Sequence, residues 1–390
     1  MSYIATLFSL LLFSATANAV ILKGGSGGGS GPQPNSVTAA NNTATYAPLC
    51  QAIAPFYAVI GNSSGALWSI GIGAYTAPTT KIGIDSATKW VYSTYLTQIR
   101  NGYLNFTTAD QNALNMIDGY VNLGESSGGS SCPSSLSPRT PAQCILQSPG
   151  PNGQPNQAYG AQVTDQGSGT SGIPGTSAVG VYFYQGGHDE VHAATLSPLA
   201  NLTDTQITSV VNGQLGTTSA GMNFVQPLLS GGAAATVAGY SQMLMNIMSG
   251  SLLMNASLQN AGAGNNTVCT LSGGNYAGYT VGGVAVTSTT TNWQFTNGIC
   301  NAQYSPIAAP WVYGEGFWVE LMWANGAAGD GAFSSPGSDG YYPWISANLQ
   351  QWGIIARSAG AGQGGASAQC GELIRDAYNK GVYQPGPYPQ

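Results

Sequence analysis

Ser86 and Lys89 stand three residues apart in Ser86-Ala87-Thr88-Lys89, at the point where an extended stretch, Lys81-Ile82-Gly83-Ile84-Asp85, gives way to Trp90-Val91-Tyr92-Ser93-Thr94-Tyr95-Leu96. The second stretch reads as a helix. Residues three apart at a helix start share a face, about one turn from each other. A serine hydroxyl and an amine so placed suit a nucleophile and the base that takes its proton. Tyr184, in Tyr184-Gln185-Gly186 just before a helix, supplies a hydroxyl that can relay that proton to a leaving group. Phe333-Ser334-Ser335-Pro336-Gly337-Ser338 forms a small, Gly-containing edge against which a substrate can lie. The backbone N–H of Ser338, with that of Ser86, would then form an oxyanion hole.

A second pattern competes. His188-Asp189-Glu190-Val191-His192 places two histidines at i, i+4, a metal-ligand spacing. A zincin helix needs Glu directly after its first His, where this chain has Asp189, and no third ligand stands out. The favoured reading gives no metal: His188 lines or buttresses the pocket near Tyr184, and His192 caps or packs. Acyl transfer from Ser86 needs no metal or organic cofactor.

The elements that must position these residues come from both ends of the chain. Ala47 to Ala54 reads as a helix holding Cys50; Phe56 to Ile60 and Ala66 to Ile72 read as a hairpin around Asn62-Ser63-Ser64-Gly65. Thr108-Ala109-Asp110-Gln111 opens a short helix through about Ile117. Residues 124–175 read as a long Ser/Gly/Pro-rich loop. Helices are expected over Glu190 to Thr195, Asp204 to Asn212 and Ala235 to Ser249, the Met243, Met245 and Met248 cluster filling core. Strands follow at Gly316 to Trp323, Gly340 to Ile345 and Trp352 to Arg357, and a helix at Ser367 to Asn379. This order suggests an α+β fold, one sheet built from both termini with a helical lobe inserted at roughly 100–300. The aromatic density from Trp311 to Trp352 reads mainly as sheet core.

The chain has 390 residues, enough for a sizeable core, and only 6% are charged, against about 25% in ordinary domains. Eight Lys+Arg against fourteen Asp+Glu leave a net charge of -6, so nucleic acid and anionic membrane surfaces are poor partners. A charge-poor exterior fits an acidic external medium, or simply a secreted Gly/Ser-rich protein. Residues 1–19 read as a signal peptide, with an apolar Leu7 to Phe13 and Ala17-Asn18-Ala19 as a small-x-small site. Residues 20–40 read as a flexible linker and 41–380 as one domain. No later apolar run is long enough to span a membrane, so a secreted or periplasmic location is expected. The six cysteines form an even set suited to three disulfides. Cys132–Cys144 and Cys269–Cys300 are taken as local staples, leaving Cys50 with Cys370 to tie the terminal helices.

With these motifs in this order, the chain resembles the Ser-x-x-Lys serine hydrolases: class C β-lactamases, D-Ala-D-Ala carboxypeptidases and the esterases sharing their fold, over roughly residues 50–380. The resemblance implies a β-lactamase/transpeptidase-like fold, an antiparallel sheet flanked by terminal helices. Ser86 and Lys89 match the family's nucleophile and lysine, and Tyr184 the tyrosine of its Tyr-x-Asn motif, with Gly186 in place of asparagine. Ser335-Pro336-Gly337 occupies the place of Lys-Thr-Gly or His-x-Gly. Pro227 to Met243 is similar to the glycine-rich lead into a late helix. Tyr313-Gly314-Glu315-Gly316-Phe317-Trp318 is similar to the strand before the third motif, and Met116-Ile117-Asp118-Gly119-Tyr120 to the segment after the nucleophile helix. The departures matter for substrate choice. Ser335 replaces the cation that binds a substrate carboxylate, and the missing asparagine removes an orienting amide. Both lean toward an esterase or amidase acting on a largely uncharged small ester, amide or peptide-like molecule. A β-lactamase or carboxypeptidase drawing its cation from Arg357 or Arg139 is the second reading. A catalytically silent cell-wall-binding homologue is the third.

Overall fold

Alternating side chains in the strands set the architecture. In Phe56–Asn62, the side chains of Phe56, Ala58 and Ile60 join one buried cluster and that of Val59 joins another; in Trp352–Ala356, Ile355 joins the first, and Trp352, Ile354 and Ala356 the second. Period-two alternation with both sets apolar requires cover on both sheet faces. The computed structural model describes residues 35–73, 75, 79–120, 132, 138–147, 179–180, 182–269, 280–281, 284–285, 293–295, 298–300, 302–304, 311–322 and 328–386.

The main sheet runs in the order Gly65–Ile72, Phe56–Asn62, Trp352–Ala356, Tyr342–Ile345, Ala328–Ser334, Phe317–Met322, Val312–Gly314, Val268–Cys269, with every neighbouring pair antiparallel. The N-terminal hairpin thus pairs directly with the last strand, Tyr57 opposite Ala356 and Gly61 opposite Trp352. The sheet is built from both termini, as the order of elements predicts. One face is covered by helices Ser36–Tyr46 and Gly364–Lys380, joined by the Cys50–Cys370 disulfide from the short helix Pro48–Ala52. Arg375 on the C-terminal helix reaches the sheet, donating to Glu320, Asp330 and Tyr342, its guanidinium over the Trp344 ring.

The other face carries the inserted helices: Ala87–Ile99, Thr108–Leu114, Gly187–Thr195, Asp204–Leu215, Val237–Met248 and Met254–Gly262. Ala87–Ile99 is buried on all sides from Ala87 to Thr97. Its interior Thr94 and Thr97 turn back to the carbonyls of Trp90 and Ser93 at 2.7 and 2.8 Å, so their hydroxyls are satisfied without solvent. A small antiparallel sheet, Ile82–Gly83, Ala233–Ala235, Met222–Phe224, carries the chain into Ser86 and out of the 226–232 turn. The pairing of Ile82–Gly83 with Ala233–Ala235 brings residues about 150 apart in sequence to one place.

Several expectations need adjustment. The helix Ser36–Tyr46 begins inside the stretch read as linker. The cap of the Thr108 helix is Thr107, in a reciprocal capping box with Asp110. The helices Pro141–Gln147 and Met254–Gly262 and the strand Ala328–Ser334 had no separate signal. Cys132–Cys144 is formed. Cys269–Cys300 falls outside the described side chains, and the signal-peptide reading outside the described residues. Among the described residues no helix is long and apolar enough to cross a membrane.

Candidate active site

Ser86 sits at the N-cap of Ala87–Ile99, just after Asp85, whose backbone is left-handed at φ 43°. Asp and Asn tolerate that region better than most residues. The Asp85 carboxylate accepts the N–H of Asp339 at 2.7 Å, pinning this turn to the 335–340 segment. Gly337 makes the contact sterically feasible: a Cβ there would lie 2.3 Å from the Ile84 carbonyl. The Ser335 hydroxyl donates to the Ser86 carbonyl at 3.1 Å.

Lys89, one turn on, is buried. Its ammonium nitrogen is 3.3 Å from Ser86 Oγ and 2.9 Å from the Ser230 carbonyl, and 5.2 Å from the centre of the Tyr184 ring. The third contact is with a ring face, a cation–π geometry, rather than with the phenol oxygen. Among the described residues the Tyr184 hydroxyl has no hydrogen bond to Ser86 or Lys89. Catalytic hydrogen bonds often tighten only when substrate is bound.

Ser86 opens into a cleft of about 200 Å³. Tyr184, Gln185 and Trp318 line it, as do Pro336, Gly337 and Ser338 and the start of the C-terminal helix at Gly362, Gly364 and Gly365. None of these is charged. Among the described residues the backbone N–H groups of Ser86 and Ser338 have no hydrogen-bond partner, so two unengaged donors border the same space.

The structure therefore brings together Ser86, Lys89, Tyr184, Gly337 and Ser338. It does not bring Gly186, His188 or Ser335 to the cleft wall. Gly186 is the N-cap of Gly187–Thr195, its carbonyl bonded to the Glu190 N–H. Ser335 is turned onto the Ser86 backbone, so its side chain fixes the turn at Ser86 rather than lining the cleft. His188 is fully buried, held by Asp118 at Nδ1 and by the Phe183 carbonyl 2.9 Å from Nε2. It braces the segment leading into Tyr184, the buttressing half of the expectation. His192 points elsewhere: Tyr92 OH lies 2.7 Å from Nδ1 and Asp110 Oδ1 2.8 Å from Nε2. Each imidazole has its own carboxylate; His192 ties its helix to Ala87–Ile99 and Thr108–Leu114, and His188 ties it to Asp118 and the Phe183 backbone. Arg357 lies beneath Gly340 with Ser367, and Arg139 donates to the Val225 carbonyl; neither lines the cleft.

Sequence reasoning missed Gln185, Trp318 and the glycines at 362–365 as cleft walls, and Asp85, Ser230 and Glu190 behind them. A doublet of glycines opening a helix at Gly364-Gly365 was the available signal, since a close backbone approach favours glycine.

This sheet, its terminal helices and the inserted helical face form the β-lactamase/transpeptidase-like fold. A penicillin-binding protein from Bacillus halodurans superposes with a TM-score of 0.50 over 86% of this chain and 98% of its own, at 10% identity. A D-stereospecific amidohydrolase from Streptomyces sp. gives 0.46 at 13% identity, over 88% of this chain and 99% of its own. Simvastatin synthase from Aspergillus terreus gives 0.47 at 13% identity, over 91% and 100%. No protein-family model matches the sequence, and no curated protein matches it significantly.

Proposed function

We propose that the chain is an exported serine hydrolase that acts through an acyl-enzyme on an ester or amide of a largely uncharged substrate. The observation that carries this reading is Lys89 Nζ standing 3.3 Å from Ser86 Oγ at the foot of a cleft without charged walls. Lys89 in its amine form takes the Ser86 proton, and Ser86 Oγ attacks the substrate carbonyl. The oxygen that becomes negative is received by the N–H groups of Ser86 and Ser338. Tyr184 passes the proton to the leaving group, and water then cleaves the acyl-enzyme. Among the described residues neither Arg357 nor Arg139 lines the cleft, and a β-lactam or peptide carboxylate meets no cation in its wall, which favours a neutral substrate. The disulfides Cys50–Cys370 and Cys132–Cys144 support export, since such bonds persist in oxidising compartments.

A fluorophosphonate probe should label Ser86, with Ser86→Ala unlabelled. Lys89→Ala should fold normally yet lose about 10²- to 10⁴-fold in turnover of short-acyl p-nitrophenyl esters. Wild-type protein that stays unlabelled would sink the reading. Nitrocefin turned over faster than the esters would overturn the substrate preference.

A further inference from the structure

Asp189 and Glu190 are neighbours on the helix Gly187–Thr195, both carboxyls and both buried, and the reaction above uses neither. Their surroundings differ sharply. Among the described residues neither oxygen of Asp189 has a hydrogen-bond partner, and burial pushes its pKa well above the carboxylate range. Glu190 has both oxygens occupied. Oε2 accepts the Leu229 N–H at 3.0 Å; Oε1 accepts the Ser230 N–H at 2.9 Å and the Ser230 hydroxyl at 2.5 Å.

Leu229 and Ser230 lie in the irregular turn between Met222–Phe224 and Ala233–Ala235. Their N–H groups are buried without a strand partner, so something else must accept them. Glu190 accepts both. The carbonyl of the same Ser230 receives Lys89 Nζ at 2.9 Å. Glu190 thus grips the amide side of one residue while Lys89 is held by its carbonyl side.

We propose that Glu190 is a positioning residue for the base of this site: by fixing the Leu229–Ser230 backbone it aims the carbonyl that keeps Lys89 Nζ against Ser86 Oγ. The proposal rests on the Ser86–Lys89 reading. A glutamine cannot substitute, because both carboxyl oxygens face N–H donors and an amide would turn an NH₂ onto one of them. The released turn would let the carbonyl move, and a misplacement of about 1 Å near the chemistry costs on the order of 100-fold. The charged or titratable groups facing Lys89 are Asp85 from its own turn, Asp189 and Glu190 from the helix behind, and Tyr184; those facing Glu190 are Lys89, Asp189 and Tyr92.

The test compares Glu190→Gln, Glu190→Asp and Asp189→Asn in the full chain, using p-nitrophenyl ester kinetics and the rate of fluorophosphonate labelling against pH. Glu190→Gln is expected to lower kcat about 10- to 100-fold with KM nearly unchanged. The acid limb of its profile should move to lower pH, because an acceptor and a negative group that favour protonated Lys89 are both weakened. Glu190→Asp, keeping the acceptors, should recover part of the rate, and Asp189→Asn should stay within about threefold of wild type. Wild-type kcat and an unmoved acid limb in Glu190→Gln would overturn the proposal, as would an equal loss in Asp189→Asn. Lys89 is one of four lysines, so its Nζ can be followed by ¹⁵N NMR and assigned with Lys89→Met. That signal should shift in Glu190→Gln, or in Glu190→Asp if the glutamine variant does not fold. It separates the two ideas: an unlabelled Ser86 removes the hydrolase reading, whereas an unshifted Lys89 resonance removes the role of Glu190.

Discussion

Glu315 shows how this fold treats carboxyls. It lies in the turn after Val312–Gly314, in a left-handed conformation at φ 50°, and its carbonyl accepts the hydroxyl of Ser93 on the helix Ala87–Ile99. Its N–H donates to the Asn115 side chain at 2.8 Å. Burial raises its carboxyl pKa to about 7, against the pull of neighbouring Ser257 and Asn266. The folded state therefore prefers the neutral acid. The associated stability is fully present below the unfolded value of 4.5 and is lost as pH rises through about 7. The whole swing is about 3 kcal/mol. Glu315→Gln should remove most of it: the urea midpoints at pH 5 and pH 8 should draw together relative to wild type. Equal slopes in the two proteins would mean that the carboxyl is not held neutral. At this scale the sequence disclosed the residues of the proposed reaction better than their supports. Ser86, Lys89, Tyr184 and Ser338 were legible because a nucleophile, a base and an oxyanion donor need particular residue types in a particular order. Glu190 was not, since its partners are backbone N–H groups of a turn forty residues away, and backbone groups carry no residue signature.

Two short segments fix the helix Ala87–Ile99. The 335–340 segment holds its N-terminus through Asp85 and Ser335, and the Tyr313-Gly314-Glu315-Gly316 turn presses on its middle. Gly316 has φ 89°, and a Cβ there would stand 2.6 Å from Ser93 Cβ and 3.1 Å from the Lys89 carbonyl. Gly316→Ala combines a left-handed backbone with a clash against the helix that carries Lys89. A loss of about 3 kcal/mol in stability is expected, together with reduced labelling of Ser86 in the protein that still folds. Calorimetry and probe labelling of the same sample check both; an unchanged melting temperature would show that the turn yields freely. The strands on either side, Val312–Gly314 and Phe317–Met322, explain why parts of this region were readable. Their apolar runs are buried in the sheet, so the residues that form strands also fill the core. The next strand, Ala328–Ser334, was not, because Ala328-Gly329-Asp330-Gly331 lacks that run. It is held instead by pairing with Phe317–Met322 and by Arg375 on Asp330.

Over the whole molecule, the ends of the chain close the sheet. Pairing of Phe56–Asn62 with Trp352–Ala356 makes the fold depend on contacts about 300 residues apart, and Cys50–Cys370 locks the helices over that seam. The terminal helix pairing was readable because the order of elements puts both terminal helices on one sheet face and the two local cysteine pairs leave Cys50 with Cys370. Replacing both with alanine should cost about 4 kcal/mol, because the bond closes nearly the entire chain in the unfolded state. Urea unfolding of the double variant measures this; a loss below about 1 kcal/mol would place the seam's stability in the sheet alone.

The scarcity of charge has a consequence for pH that follows from where the acids are. Burial raises the carboxyl pKa of Asp85, Asp189, Glu372 and Asp376, as it does for Glu315. Asp110 and Asp118 go the other way. Burial opposes ionisation in both, but His192, Arg100 and Thr107 around Asp110, and His188 beside Asp118, hold them below the usual range. Groups with raised pKa make the native state bind more protons than the unfolded chain above about pH 4, so their contribution grows as pH falls from 8 toward 4. Asp110 and Asp118 contribute above their unfolded value and lose that contribution as pH drops below it. The two sets meet in a stability maximum at mildly acidic pH, roughly 4 to 5. This is where a chain with an acidic working medium would need it, in line with an exterior that relies on Gly, Ser, Thr and Asn rather than on titrating groups. Thermal unfolding across pH 3 to 9 should show a melting temperature several degrees higher near pH 5 than at pH 8, and a fall below pH 3. A melting temperature that climbs steadily to pH 8 would mean that the buried acids are ionised and paired in the native state.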